Sequence, residues 1–396
     1  MTSVARWAEV HRLAVAGREP VIAREAGSGL AVLWLSRSRF ADVASLSQAT
    51  LTLGPDAAAL YFLGWAETAT GQPRPALAHY EQALAIMREA GDRAGEAATL
   101  SNIGNVYTRL GDRRRSLDYF EQALSLLRQV GDRVGEGVAL SNMGSVHHAM
   151  GDQPRALTYL ERALRLMREI GDRAGEAITL NSIGSTYHAL RDDRRALAYH
   201  QQALPILQEI GSRAHEAAAL NNMGLAHNAL GDWQRALACY AQALPIRREV
   251  GDRAGEAATL SNIGSVYSGL GDRRQALACY EQALSLVRET DSRAEEAITL
   301  NNIGSAYHGL GDRRQALACY EQSLLIRQEV GDRAGEGVTR YNIAMIHRDN
   351  GDLDRAIGEL ELVVALDREV GLPGLAADTA VLEQLRLARA QPGGGI

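Results

Sequence analysis

Residues 91–131 read GDRAGEAATLSNIGNVYTRLGDRRRSLDYFEQALSLLRQVG, and this stretch decides the fold. Leu100, Ile103, Gly104, Tyr107 and Leu110 recur at helical spacing, and so do Leu117, Phe120, Leu124 and Leu127. Gly111 and Gly131 follow the two stripes, where a helix end wants a left-handed residue. Asp112 and Asp132 come next and are good N-caps for the following helix. The unit predicted is helix, Gly-Asp turn, helix, Gly-Asp turn. Each helix has about 17 residues, or roughly 25 Å. Turns this short force neighbouring helices to run antiparallel.

Outward from this stretch the unit repeats. Gly64, Gly104, Gly144, Gly184, Gly224, Gly264 and Gly304 keep a 40-residue beat, with Ala344 in the next place. Ala76, Ala156, Ala196, Ala236, Ala276, Ala316 and Ala356 keep the same beat, with Ser116 filling the gap. A glycine inside a helix costs about 1 kcal/mol relative to alanine. Its recurrence points to a close helix crossing, which the small residue twelve positions later is expected to face. GDRAGEAATLSNIG occurs verbatim at 91–104 and 251–264, a sign of recent duplication. Departures occur too. Arg191 and Asp291 replace turn glycines, Ser182 replaces a recurrent asparagine, and Pro205 and Pro245 sit inside second helices, where they are expected to bend them. Pro73, Pro75 and Pro154 fall in first turns, where proline is tolerated.

The pattern Leu100-x2-Ile103-Gly104-x2-Tyr107, then Ser116-x3-Phe120-x2-Ala123, resembles the tetratricopeptide repeat. The 40-residue period, against the usual 34, is similar to the arrays of kinesin light chains, the mitotic adaptor LGN and bacterial signalling proteins. The extra residues are the GDRAGE-type segments, read as an extension at the start of each first helix. The resemblance implies an all-α fold, a right-handed α-solenoid superhelix of helical hairpins. The expected division is a helical segment at 1–56, an array of about eight repeats at 57–370, and a capping helix with a frayed tail at 371–396. Phe40, Val43, Thr50 and Pro55 fit the second helix of a divergent first repeat, and Gly27-Ser28-Gly29 reads as a bend within it.

Composition agrees. The chain of 396 residues is 46% hydrophobic but only 5% aromatic, so its core is built from small and aliphatic side chains packed at close range. No apolar stretch is long enough to span a membrane, and the start MTSVARWAEVHRLAVAGREP lacks the apolar core of a secretory signal. The net charge is −6, and all basic residues are arginines set beside acids, as in Asp92-Arg93 and Asp272-Arg273. No basic patch is available to neutralise phosphates, so nucleic acid is not an expected partner. Cys239, Cys279 and Cys319 are one repeat apart, about 8–10 Å between packed helices. That is too far for a disulfide, so a reducing, cytoplasmic location is expected.

A solenoid offers a long surface rather than one pocket. On the first helix Ser101, Asn102, Asn105, Thr108 and Arg109 lie opposite the apolar stripe. In relatives that side lines a concave groove. The Asn102 position recurs as Asn142, Asn222, Asn262, Asn302 and Asn342. The Asn105 position becomes Ser145, Ser185, Ser265 and Ser305, broken by Leu225 and Met345. The Thr108 position becomes His148, His188, Asn228, Ser268 and His308. An asparagine carboxamide matches a peptide's C=O and N–H. First helices about 10 Å apart would let one amide meet an extended chain every third residue. The resemblance implies the same main-chain recognition. Two other readings stay open for these amides, a solvated polar face and a ladder bonding neighbouring repeats. A clamp on a C-terminal carboxylate is not expected, because the chain has no lysine and only scattered groove arginines, Arg109 and Arg348.

His148 and His188 are too far apart to share a metal bonded at 2.0–2.1 Å, and His147, His227 and His347 alternate with Tyr107, Tyr187, Tyr267 and Tyr307 on the apolar stripe as packing residues. There is no phosphate loop, no H-E-x-x-H, no G-x-S-x-G and no C-x-x-C. No catalytic residue, cofactor or metal is expected. The expected role is a non-enzymatic scaffold holding a peptide or partner segment. The alternative is the sensor arm of a signalling system whose effector is on a separate chain. Self-association through the ends is left open.

Overall fold

A computed structural model describes residues 3–290, 292–371 and 373–390. The Asp291 turn and the tail 391–396 expected to fray lie outside the described residues. Those described form twenty helices and no strand, divided into two compact units, Met1–Ile206 and Leu207–Ile396. The first unit contains α1 (Ser3–Ala16), α2 (Pro20–Leu35), α3 (Phe40–Leu51), α4 (Ala57–Ala69), α5 (Pro73–Ala90), α6 (Arg93–Arg109), α7 (Arg113–Val130), α8 (Arg133–Ala149), α9 (Gln153–Ile170) and α10 (Arg173–Ala189). The division falls inside α11 (Asp193–Glu209). The second unit contains α12 (Arg213–Ala229), α13 (Trp233–Glu249), α14 (Arg253–Gly269), α15 (Arg273–Glu289), α16 (Arg293–Gly309), α17 (Arg313–Val330), α18 (Arg333–Asp349), α19 (Leu353–Val370) and α20 (Leu375–Ala390). Each unit is an all-α repeat solenoid in which consecutive helices pack on one another, and first helices also meet across neighbouring hairpins in the pairs α4–α6, α6–α8, α8–α10, α12–α14 and α16–α18. Pro205 and Pro245 lie within the continuous helices α11 and α13.

The Gly-Asp turns act as their chemistry dictates. Gly131 ends α7 at φ 76°. Asp92 Oδ1 accepts the Gly95 amide at 2.9 Å, and Asp112 Oδ1 accepts that of Arg115 at 3.1 Å. These bonds satisfy donors a helix start leaves open. Arg191, in a turn-glycine position, is held at φ 62°. A side chain in that region costs about 1–2 kcal/mol.

Antiparallel register about the turn at 111–112 decides what meets the recurrent glycine. A Cβ on Gly104 would lie 2.9 Å from the Phe120 ring, and one on Gly224 would lie 2.4 Å from the Tyr240 ring. Gly264 and Gly304 are set against Tyr280 and Tyr320, each at 2.7 Å. The nearest partner is therefore the large side chain sixteen residues on, with the alanine twelve residues on behind it at Gly144, where Ala156 O lies 3.2 Å from the same Cβ. The same register brings Ser116 opposite Thr108, where their hydroxyls are 2.6 Å apart. That bond satisfies the one polar residue in the alanine row.

The GDRAGE segment carries an ionic clasp. Glu96, in the first turn of α6, is buried and takes Arg88 Nε at 2.8 Å from the end of α5 and Arg93 Nη1 at 3.0 Å. Its pKa is lowered, mainly by the hydrogen bond from Arg88. Glu176 repeats the arrangement with Arg168 and Arg173, and Glu296 with Arg288 and Arg293. Arg133 and Arg293 also reach Glu169 and Glu329 near the ends of their own second helices, at 2.6 and 2.7 Å. Arg88, Arg93, Arg168, Arg173, Arg288 and Arg293 are thus committed to carboxylates.

At the N-terminal end, Gly27-Ser28-Gly29 is not a bend but lies within the unbroken α2. Gly27 lets α2 approach closely, since a Cβ there would sit 3.2 Å from Thr50 Oγ1 and 3.4 Å from His11. At the C-terminal end, α20 buries Leu382 and Leu385 in a cluster with Leu360 and Val364 of α19. Asp378 of α20 meets the buried Asp367, and burial together with that second carboxyl pushes Asp378 up to about 6. Cys239, Cys279 and Cys319 are free thiols.

His200 takes the ring position opposite Gly184 and is fully buried. Nδ1 donates to Asn181 Oδ1 at 2.7 Å. Desolvation pushes its pKa down to about 4. The unfolded chain therefore binds the extra proton first, and this residue removes stability as pH falls from about 6.5 to about 4. His200→Phe is expected to flatten that part of the stability profile. Denaturant unfolding of both proteins at pH 7 and pH 5 measures it.

Candidate interaction face

The sequence-predicted residues fall on one side of the first helices, half-buried or exposed, and their amides do not stand alone. Asn142 Nδ2 of α8 donates to Asn105 Oδ1 of α6 at 3.3 Å. Asn262 Nδ2 of α14 donates to Asn221 Oδ1 of α12 at 3.1 Å, and Asn342 Nδ2 of α18 to Asn301 Oδ1 of α16 at 3.1 Å. Thr259 and Thr339 add hydroxyl donors to the same two acceptors at 3.3 and 3.4 Å. Three of the recurrent asparagines are therefore rungs between neighbouring repeats. Each rung spends one N–H and leaves the donor's carbonyl and second N–H uncommitted by that bond.

Local sequence chooses the acceptor. Where the residue before the recurrent asparagine in the preceding repeat is Asn221 or Asn301, the rung lands there. Where it is Ser101, too short to reach, the donor turns one helical turn along to Asn105. Among the described residues the Nδ2 of Asn102 is buried without a hydrogen-bond partner. Ser182 cannot span the gap and bonds Ile178 O of its own helix. Asn302 faces Ser261 and Ser265, neither of which reaches it. Among the described residues Asn302 has no hydrogen-bond partner, and α14 and α16 stand apart around a cavity of about 400 Å³.

The remaining candidates lie on the corresponding side of their own first helices. Ser145 and Ser185 bond the carbonyls of Ser141 and Asn181 in their own helices. Ser265 and Ser305 are exposed, and Asn222 and Asn228 are half-buried. His148 Nδ1 meets Gln153 Oε1 at 2.9 Å, His188 pairs with Asp193, and His308 Nε2 reaches Asp349 Oδ2 of the next first helix at 3.1 Å. Arg109 donates to the Thr68 carbonyl of α4, and Arg348 is paired with Asp349. His147 stacks on Tyr159 at 5.3 Å, just as Tyr107 stacks on Tyr119 at 5.4 Å. Burial lowers the His147 pKa. Among the described residues no three His, Cys, Asp or Glu side chains gather to hold a metal, and no helix is long and apolar enough to cross a membrane.

Sequence reasoning passed over an aliphatic strip beside the amides. Val138 is 44% exposed, Ile178 38%, Ile298 43% and Val338 54%. They stand one turn before the amide row on their helices. The signal was present, since these residues fall out of register with the core stripe. It was muted because Ala98, Ala218 and Ala258 hold the same place in other repeats.

Tetratricopeptide repeat models match residues 57–90, 76–129, 95–169, 135–209, 215–289 and 295–369. The chain belongs to the tetratricopeptide repeat family. No curated protein matches it in sequence. Among solved structures it is similar to a signal transduction ATPase with numerous domains, bearing a tetratricopeptide repeat sensor, from Pyrococcus horikoshii. The TM-score is 0.66 at 14% identity, over 92% of this chain and 54% of that one. It is similar to the quorum sensor NprR from B. thuringiensis, with a TM-score of 0.60 at 14% identity, over 85% of this chain and 97% of that one. It is also similar to a Rap protein complexed with Competence and Sporulation Factor, with a TM-score of 0.59 at 16% identity, over 83% and 98%. At these identities the likeness is one of fold.

The rungs predict a contrast within the tetratricopeptide array. Asn342→Ala removes a satisfied bond and should cost about 1 kcal/mol. Asn302→Ala removes none and should cost nothing, or gain a few tenths from helix propensity. Urea unfolding of the two variants measures the difference.

Proposed function

We propose that the chain is a non-enzymatic interaction scaffold that holds an extended segment of a partner protein along its first-helix face. The observation that carries this reading is a pair of exposed aliphatics beside the amides in each unit, Val138 and Ile178 in the first and Ile298 and Val338 in the second. These side chains keep 38–54% of their surface exposed, so burying the remainder of each against a partner would gain about 1 kcal/mol, part of the roughly 1.5–3 kcal/mol of a full burial. In this reading the strip supplies affinity. The exposed Ser265 and Ser305, the unpaired Asn302 and the second N–H groups of Asn142, Asn262 and Asn342 meet the partner's main chain. Ser145, Ser185, Asn222 and Asn228, with His148, His188 and His308, border the same track. Asn102 and Asn105 extend it in α6.

A sensor arm is the second reading, favoured by the sensor named in the Pyrococcus horikoshii protein. It uses the same face and differs only in what the partner does next. The acidic balance and the committed arginines favour a protein or peptide partner over nucleic acid.

Val138→Asp with Ile178→Asp tests the reading. Both residues are exposed, so the melting temperature should hold within a degree or two while capture of the partner from host lysate falls at least tenfold. Undiminished capture by a folded double variant would remove the first-helix face as the binding surface.

A further inference from the structure

The rungs leave one interruption in the second unit, and that interruption has a shape. The α12–α14 and α16–α18 pairs are each tied by an asparagine rung. Between α14 and α16, Ser261 and Ser265 take both places that could accept from Asn302. The result is a cavity of about 400 Å³. Its wall is aliphatic, with Ala258, Val287 and Ile298. The amides of Asn262 and Asn302 and the exposed Glu295 also line it. Among the described residues Glu295 has no ion-pair partner, whereas the neighbouring Glu296 is clasped by Arg288 and Arg293.

These features are complementary to one chemistry. The volume fits an aliphatic side chain together with its flanking peptide units. An amide with no partner inside the protein can accept a backbone N–H and donate to a backbone C=O at no cost to an existing bond. An unpaired carboxylate lining the cavity favours a neighbouring positive charge and disfavours a negative one. We infer that the gap between α14 and α16 is a specificity pocket for an aliphatic residue followed or preceded by a basic one, in an extended peptide held by Asn302. This rests on the scaffold reading above and names which residue pair of the partner the second unit selects.

The variant that tests it follows from the neighbouring repeats. Ser261→Asn supplies the acceptor that Asn221 and Asn301 supply elsewhere, so Asn302 should gain a rung and the gap should close. The probes are three blocked dipeptides: N-acetyl-Leu-Arg-methylamide, N-acetyl-Leu-Glu-methylamide and N-acetyl-Asp-Arg-methylamide. Their binding to the full chain is read by NMR from the methyl signals of Val287 and Ile298 and the side-chain amide of Asn302. The Leu-Arg probe should give saturable shifts confined to those groups, with at least fivefold weaker binding of the other two. Ser261→Asn should abolish the shifts and raise the unfolding midpoint. Shifts scattered over other valines and isoleucines, equal binding of the three probes, or unchanged binding in a folded Ser261→Asn protein would each overturn the assignment. A failed probe with intact loss of capture in the Val138→Asp, Ile178→Asp protein would overturn the pocket alone. Retained capture in that variant would strike the scaffold reading instead.

Discussion

Every recurrent glycine outside the N-terminal segment closes on one contact: a large side chain from the second helix fills the space where the first helix would carry a Cβ. Phe120 lies against Gly104, Leu160 against Gly144 and Tyr240 against Gly224. The penalty of glycine in a helix, about 1 kcal/mol, is offset by the burial of a large side chain that a wider crossing would leave partly wet. Once that distance is fixed, the Gly-Asp turns and the clasp around Glu96 follow without slack. Within each unit, neighbouring hairpins then bring their first helices together.

What those helices present divides by height. One end is ionic, where buried glutamates are gripped by arginines from the preceding helix. The middle holds small residues, aliphatics and carboxamides. The other end holds the histidines and tyrosines, mostly tied within their own hairpin. In the middle the rungs have two consequences: they hold neighbouring repeats in register where the acceptor is long enough, and they leave a gap where it is serine. The chain thus varies its surface by changing a single residue in an otherwise near-identical repeat.

Much of this was legible in the sequence. The 40-residue beat, the turn glycines, the capping aspartates and the helix limits are local chemistry, and local chemistry repeats. The partner of Gly104 was misread because the small residue at 116 was the more regular signal. Yet antiparallel register about residues 111–112 sets 104 opposite 120 and 108 opposite 116, as the Ser116–Thr108 bond shows. Gly27 and Gly29 were misread for a related reason, since small residues serve close helix contacts as readily as bends. Of the candidate residues, their place on one side of each first helix was legible but the use of their amides was not. Whether Asn142, Asn262 or Asn302 finds an acceptor depends on side-chain reach across to another repeat, which no single repeat reveals. The strip of Val138 and Ile178 was hidden by alanines in the repeats read first.

The central claim is that the recurrent carboxamides set the register of neighbouring repeats and that the strip beside them is left for a partner. A double-mutant cycle on Asn221 and Asn262, with unfolding free energies of the parent, Asn221→Ala, Asn262→Ala and the pair, tests it most directly. The account predicts a coupling energy of about 0.5–1.5 kcal/mol. Strict additivity of the two substitutions would contradict it and return both amides to solvent.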